Sequence, residues 1–176
     1  VDIGPGLFTG MRVGIASAQA IAQVIDVSII PVTSLDILAA AVQTGNDVIT
    51  SIVDARRGEV YWSLYRMADG KLKQVGKPQI GTPEMCAVDV LDRGQSTLLV
   101  GTGALKHEVE FRERLNPVLP ALEFADDKHS MPLASTLVEI AHERALRGEW
   151  VLVDEVVPMY LRAPDAEINW ATRSAQ

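Results

Sequence analysis

The chain has 176 residues, 48% of them apolar and 22% charged, the composition of a globular protein with enough chain for one good-sized domain or two small lobes. Its net charge of −7, from 16 Lys plus Arg against 23 Asp plus Glu, is the wrong sign for a surface that grips nucleic acid unaided. One cysteine, Cys86, forms no internal disulfide and fits a reducing, cytoplasmic setting, while Pro31, Asp36 and Asp47 interrupt the apolar stretches short of the ~20 residues a membrane span needs.

In chain order, residues 1–3 read as a strand end and Gly4-Pro5-Gly6 as the turn leaving it. No initiator Met and no basic-then-apolar leader opens the chain, so an absent N-terminal part and no secretory signal are expected. Thr9 is the expected N-cap of a helix from about Gly10 to Ile25. Residues 28–32 form an expected short strand, interrupted by Pro31. Thr33 or Ser34 should cap a second helix over 35–42 that stops near Gly45. Residues 48–53 and 59–65 are β-type runs. Asp54-Ala55-Arg56-Arg57-Gly58 between them predicts a hairpin turn with Gly58 at positive φ, and 73–80 adds a third strand.

Pro83 suits the first turn of a helix, where its missing N–H costs nothing. A buried-type strand over 97–100 runs into Gly101-Thr102-Gly103, read as a plain turn. A helix over about 105–115, a strand at 122–124 and an amphipathic helix over 132–147, ended by Gly148, complete the pattern. The order from residue 48 is thus β-β-β-α-β-α-β-α, preceded by β-α-β-α. That pattern points to an α/β fold of the duplicated, actin-like and sugar-kinase-like (ASKHA) kind. The expected division is a truncated first lobe over 1–46, a second lobe over 47–165 and a flexible tail over 166–176.

The first helix is apolar on two sides. At about 100° per residue, Met11, Ile15, Ala18, Ala22 and Ile25 form one stripe, and Val13, Ala20 and Val24 a second almost opposite. Arg12, Gln19 and Gln23 make a narrow polar seam. One stripe is needed inside; the other requires another helix or another chain. Gly10, Gly14, Ala16, Ser17 and Ala18 are small enough for a neighbouring backbone to come close.

The segment from Gly4 to Gly14, Gly-Pro-Gly-Leu-Phe-Thr-Gly-Met-Arg-Val-Gly, closely resembles the Gly-Pro-Gly-x-Phe-Thr-Gly-x-Arg segment of TsaB proteins, also called YeaZ and long grouped with M22 peptidases. Asp54-Ala55-Arg56-Arg57-Gly58-Glu59-Val60-Tyr61 is similar to their hairpin, and Pro158-Met159-Tyr160-Leu161-Arg162 to their C-terminal Pro-x-Tyr-Leu-Arg. The resemblance implies a non-catalytic subunit that pairs with TsaD, the paralogue that transfers threonylcarbamoyl to the adenosine beside the anticodon. It further implies a TsaE-type ATPase in the complex, ATP or ADP bound there and not by this chain alone, and tRNA met only through the complex. The helix after Gly-Pro-Gly would pack on the equivalent helix of TsaD or of a second copy. Phe8, Met11, Arg12, Ile15, Ala18, Gln19 and Ala22 are the expected interface. Gly4, Pro5, Gly6, Thr9, Gly10, Asp54, Arg56, Arg57, Gly58, Tyr160 and Arg162 are the motif positions.

Catalytic and metal chemistry find little support. TsaD-like proteins carry a His pair four residues apart after the next strand; aligned through Pro31-Val32, those positions are Ser34 and Leu38. His107, His129 and His142 lack ligand spacing, so no metal is expected. There is no Gly-x-Ser-x-Gly elbow, no P-loop lysine after the Gly-Pro-Gly turn, and Cys86 lies in an apolar-looking helix. An actin-like ATPase or kinase is the alternative reading, and an M22-type peptidase the weakest.

Overall fold

The computed structural model describes residues 1–162; the expected tail over 166–176 lies outside the described residues. At the centre is a mixed sheet of six strands in the order β3-β2-β1-β5-β6, with β4 also on β2. Strands β1 (Val48–Arg56) and β2 (Glu59–Ala68) form the antiparallel hairpin. Strands β3 (Lys71–Gln74) and β4 (Gln79–Gly81) both pair with β2. They replace the single strand expected over 73–80, because Gly76 and Pro78 interrupt it and proline has no N–H for the ladder. Strands β5 (Thr97–Val100) and β6 (Leu122–Phe124) continue in parallel from β1.

The alternation of β1 shows why the sheet is covered on both faces. Val48 and Ile52 join Trp62, Cys86, Val90, Leu99, Phe111 and Leu115 in one core, under α3 (Pro83–Leu91) and α5 (Glu108–Leu115). Ile49 points the other way, into a second core with Leu35, Leu38 and Ala39 of α2 (Ser34–Ala40) and with Tyr65 and Val100. Helix α2 is capped by Thr33, whose hydroxyl accepts from the Asp36 amide. The buried Ser51 hydroxyl donates to the Leu35 carbonyl at 2.8 Å. So α2, counted with the first lobe in the sequence reading, covers the sheet of the second.

A third core is built by α1 (Phe8–Ile25). Its Ile15 and Ala22 close on Ile29 and Val156, flanked by Val1, Ile3, Met11, Val151 and Val153. Residues 28–32 are not a full strand: Ile29 bridges Val151 and Val32 bridges Asp2. Residues 151–156, expected in the second lobe, pack on α1 and Ile29. The expected cap at Thr9 is also corrected: the helix starts two residues earlier, at Phe8 after Leu7, with no side-chain cap.

The helix expected over 105–115 is broken at His107 into α4 (Thr102–Lys106) and α5. Helix α6 (Ala134–Leu146) ends at Gly148, where φ is +73°. It is tied to α2 by Arg144, which donates to Asp36 at 2.9 Å and to the Pro31 carbonyl at 2.7 Å. Among the described residues, no helix is long and apolar enough to cross a membrane.

Candidate functional site

Two features stand where the motifs lie: the outer face of α1 and a cleft beside its N-terminal end. On α1 the structure separates the two stripes. Ile15 and Ala22 are buried in the chain's own core, and Met11 packs against that core. The assignment of Ile15 and Ala22 to a partner interface is therefore wrong, because side chains already inside the chain have no surface to offer. Ala18 is half-buried on the same side. Gln19, expected at the rim, donates to the carbonyls of Val153 at 2.8 Å and Val156 at 3.3 Å, which holds the returning segment to the helix.

The opposite stripe is open. Val13 and Ile21 are each 62% exposed and Val24 is 84% exposed. A Cβ added at Gly10 or Gly14 would meet nothing within 4 Å. Projected at 100° per residue, Gly10, Val13, Ser17, Ala20 and Val24 fall on one side, with Ile21 and Gly14 at its edge. Small residues spaced by three and four between apolar ones make a surface that a second helix can approach closely.

The cleft, about 620 Å³, lies between the Gly4-Pro5-Gly6 turn with the start of α1 and the end of β1 with α4. Asp2 seats the turn: its carboxylate accepts from the Gly4 amide and from the Ser34 hydroxyl, each at 2.8 Å. Opposite, Asp54 accepts from Lys106 at 3.0 Å and from the Arg56 amide at 3.0 Å, while the Asp54 amide donates to Thr102. Burial by itself raises the Asp54 carboxyl, but those bonds and the Lys106 and Arg56 charges outweigh it and hold it below its ordinary value. Gly101 starts α4 with φ at +109°, and a Cβ there would sit 2.4 Å from the Ile52 carbonyl oxygen. Gly101-Thr102-Gly103 is thus a close crossing over β1 rather than a plain turn.

The motif positions meet in a way their spacing did not reveal. Arg12 lies over the Phe8 ring at 4.1 Å and the Tyr160 ring at 5.4 Å, and its Nε donates to the Tyr160 hydroxyl. Arg162 pairs with Glu59 of the hairpin. In that hairpin Arg57 and Gly58 form the turn, with φ at +55° and +77°. Ser34 and Leu38 are both committed to the fold, the first to Asp2 and the second to the core under the sheet. Among the described residues, no group of three or more His, Cys, Asp or Glu is placed to hold a metal.

A family model described as TsaD, tRNA N6-adenosine threonylcarbamoyltransferase, matches residues 1–170. The TsaB protein of Bacillus subtilis is 32% identical over 169 residues, covering 95% of this chain and 70% of that protein. The chain belongs to the TsaB family. An uncharacterised Mycobacterium leprae relative is 34% identical over 95% of this chain, which spans only 38% of that protein's length. YeaZ from Pseudomonas aeruginosa, a solved structure, matches with a TM-score of 0.71 at 28% identity, over 91% of this chain and 72% of that one. The TsaB family's actin-like α/β fold accounts for the mixed sheet covered on both faces.

Proposed function

We propose that this chain acts in tRNA threonylcarbamoyladenosine biosynthesis as a non-catalytic subunit that pairs with a TsaD-type enzyme through the outer face of α1. The observation that carries the reading is the bare stripe of Gly10, Val13, Ser17, Ala20 and Val24, apolar, small and uncovered within the described residues. Apolar patches of this kind on an otherwise charged surface mark association sites. The cleft's cations support the non-catalytic part: Lys106 and Arg56 are both turned onto Asp54, and Ser34 and Leu38 stand where TsaD-like proteins carry histidines.

In this reading ATP or ADP and a TsaE-type ATPase belong to the assembled cytoplasmic complex, and tRNA is met through TsaD. A second copy of the chain is the competing occupant of the α1 face. The test is reconstitution with TsaD and the remaining components from the same source. Transfer to tRNA should need both subunits, with none from this chain alone. Full activity of TsaD without this chain, or transfer by this chain without TsaD, overturns the proposal.

A further inference from the structure

Residues 159–162 touch three separate parts of the molecule. The Met159 amide donates to the Ile3 carbonyl at 2.8 Å. Tyr160 lies 5.7 Å from the Phe8 ring, centroid to centroid, and holds Arg12 of α1. Two residues on, Arg162 holds Glu59, which sits opposite Arg56 across the hairpin. Phe8 and Arg12 belong to the helix that forms one wall of the cleft; Asp54 and Arg56 of the hairpin form the other.

We infer that residues 158–162 are a strap that joins α1 to the β1–β2 hairpin and sets the separation of the two cleft walls. The strap is short. Tyr160 and Arg162 are two residues apart, so their Cα atoms can separate by at most about 7 Å even when fully extended. Pro158 stiffens its start by fixing one φ. While both arms hold, the walls cannot move far apart. The two ends are not equivalent: Arg162 is the link to the hairpin, whereas the α1 end is held by Tyr160 together with the Gln19 bonds to Val153 and Val156. Releasing Arg162 therefore frees both α1 and the hairpin from the restraint, and releasing Tyr160 frees them only in part.

Transmission of a change at one end to the element at the other separates a strap from two local contacts, and it holds whatever occupies the outer face of α1. The measurement is native hydrogen exchange on the chain by itself, comparing wild type with Tyr160→Ala and Arg162→Ala. Arg162→Ala should speed exchange of helix amides 11–16 by about threefold or more, and Tyr160→Ala that of hairpin amides 54–61 by a smaller factor. Tyr160→Phe keeps a ring under Arg12 and should leave the hairpin close to wild type. If each substitution loosens only the element it touches, the strap is refuted. Should Tyr160→Ala unfold the chain, Arg162→Ala decides alone: unchanged exchange over 11–16 overturns the inference.

Discussion

Asp54 is held charged against its own burial. Because its folded pKa lies below the ordinary aspartate value of 3.8, its contribution to stability is fully present above that value. It is lost as pH falls through the lower, folded value. Thermal unfolding followed from pH 6 down to pH 2 should therefore show an acid limb below about pH 4, and Asp54→Asn should flatten part of it. An identical acid limb in the variant would mean the Lys106 and Arg56 contacts contribute nothing. Asp36 holds a comparable place on the other face of the sheet, accepting from Tyr65 and Arg144, each at 2.9 Å. Burial and the Asp36 charge together push the Tyr65 hydroxyl up, so it stays a donor. No sequence pattern pointed to this link, since its three residues are 29 and 108 positions apart. The turn was more legible. Gly58 at positive φ is expected at the end of a five-residue turn over 54–58; the strand runs on to Arg56 and shortens the turn to Arg57 and Gly58, with the positive φ kept. A Cβ there meets no neighbour, so Gly58→Val should cost about 1 kcal/mol or more through backbone conformation alone. Chemical denaturation checks this, and an unchanged midpoint contradicts it.

Periodicity made the two-sidedness of α1 readable but not which side faces inward, because a repeat of 3.6 residues carries no absolute phase. The stripe of Met11, Ile15 and Ala22 is turned inward by Val1, Ile3 and Ile29 together with Val151, Val153 and Val156, the last three from a distant stretch of chain. The consequence is measurable: Ile15→Ala should cost about 2–4 kcal/mol, while Val24→Ala should stay within about 0.5 kcal/mol. Comparable losses at both positions would mean the outer stripe is also part of the chain's own core. Other elements divide in the same way. Pro83 after Thr82 opens α3 as its local chemistry dictates, with the Thr82 hydroxyl accepting from the Met85 amide. The break at His107 has no such signal, because it follows the crossing of α4 over β1 at Gly101 and Gly103, where a Cβ added to either would lie within 3 Å of Ile52.

For the molecule as a whole, order in sequence showed three family motifs without showing that they touch. Their meeting through Arg12–Tyr160 and Glu59–Arg162 needs the segment over 151–162 to return past both α1 and the β1–β2 hairpin. With a net charge of −7, the isolated chain should bind tRNA at most weakly at physiological salt, where phosphate contacts dominate affinity. Sub-micromolar binding by the chain alone would contradict the view that a partner supplies the grip. The outer face of α1 as the partner contact is probed by the affinity of Val13→Glu for TsaD, measured beside wild type by calorimetry or pull-down. A glutamate there would be desolvated and unpaired in the contact, yet it lies in solvent when the chain is alone. The expected outcome is a folded protein with an unchanged unfolding midpoint, pairing weakened by at least about a hundredfold, and tRNA modification lost with it. Wild-type pairing by a folded Val13→Glu would place the TsaD contact elsewhere and contradict the claim.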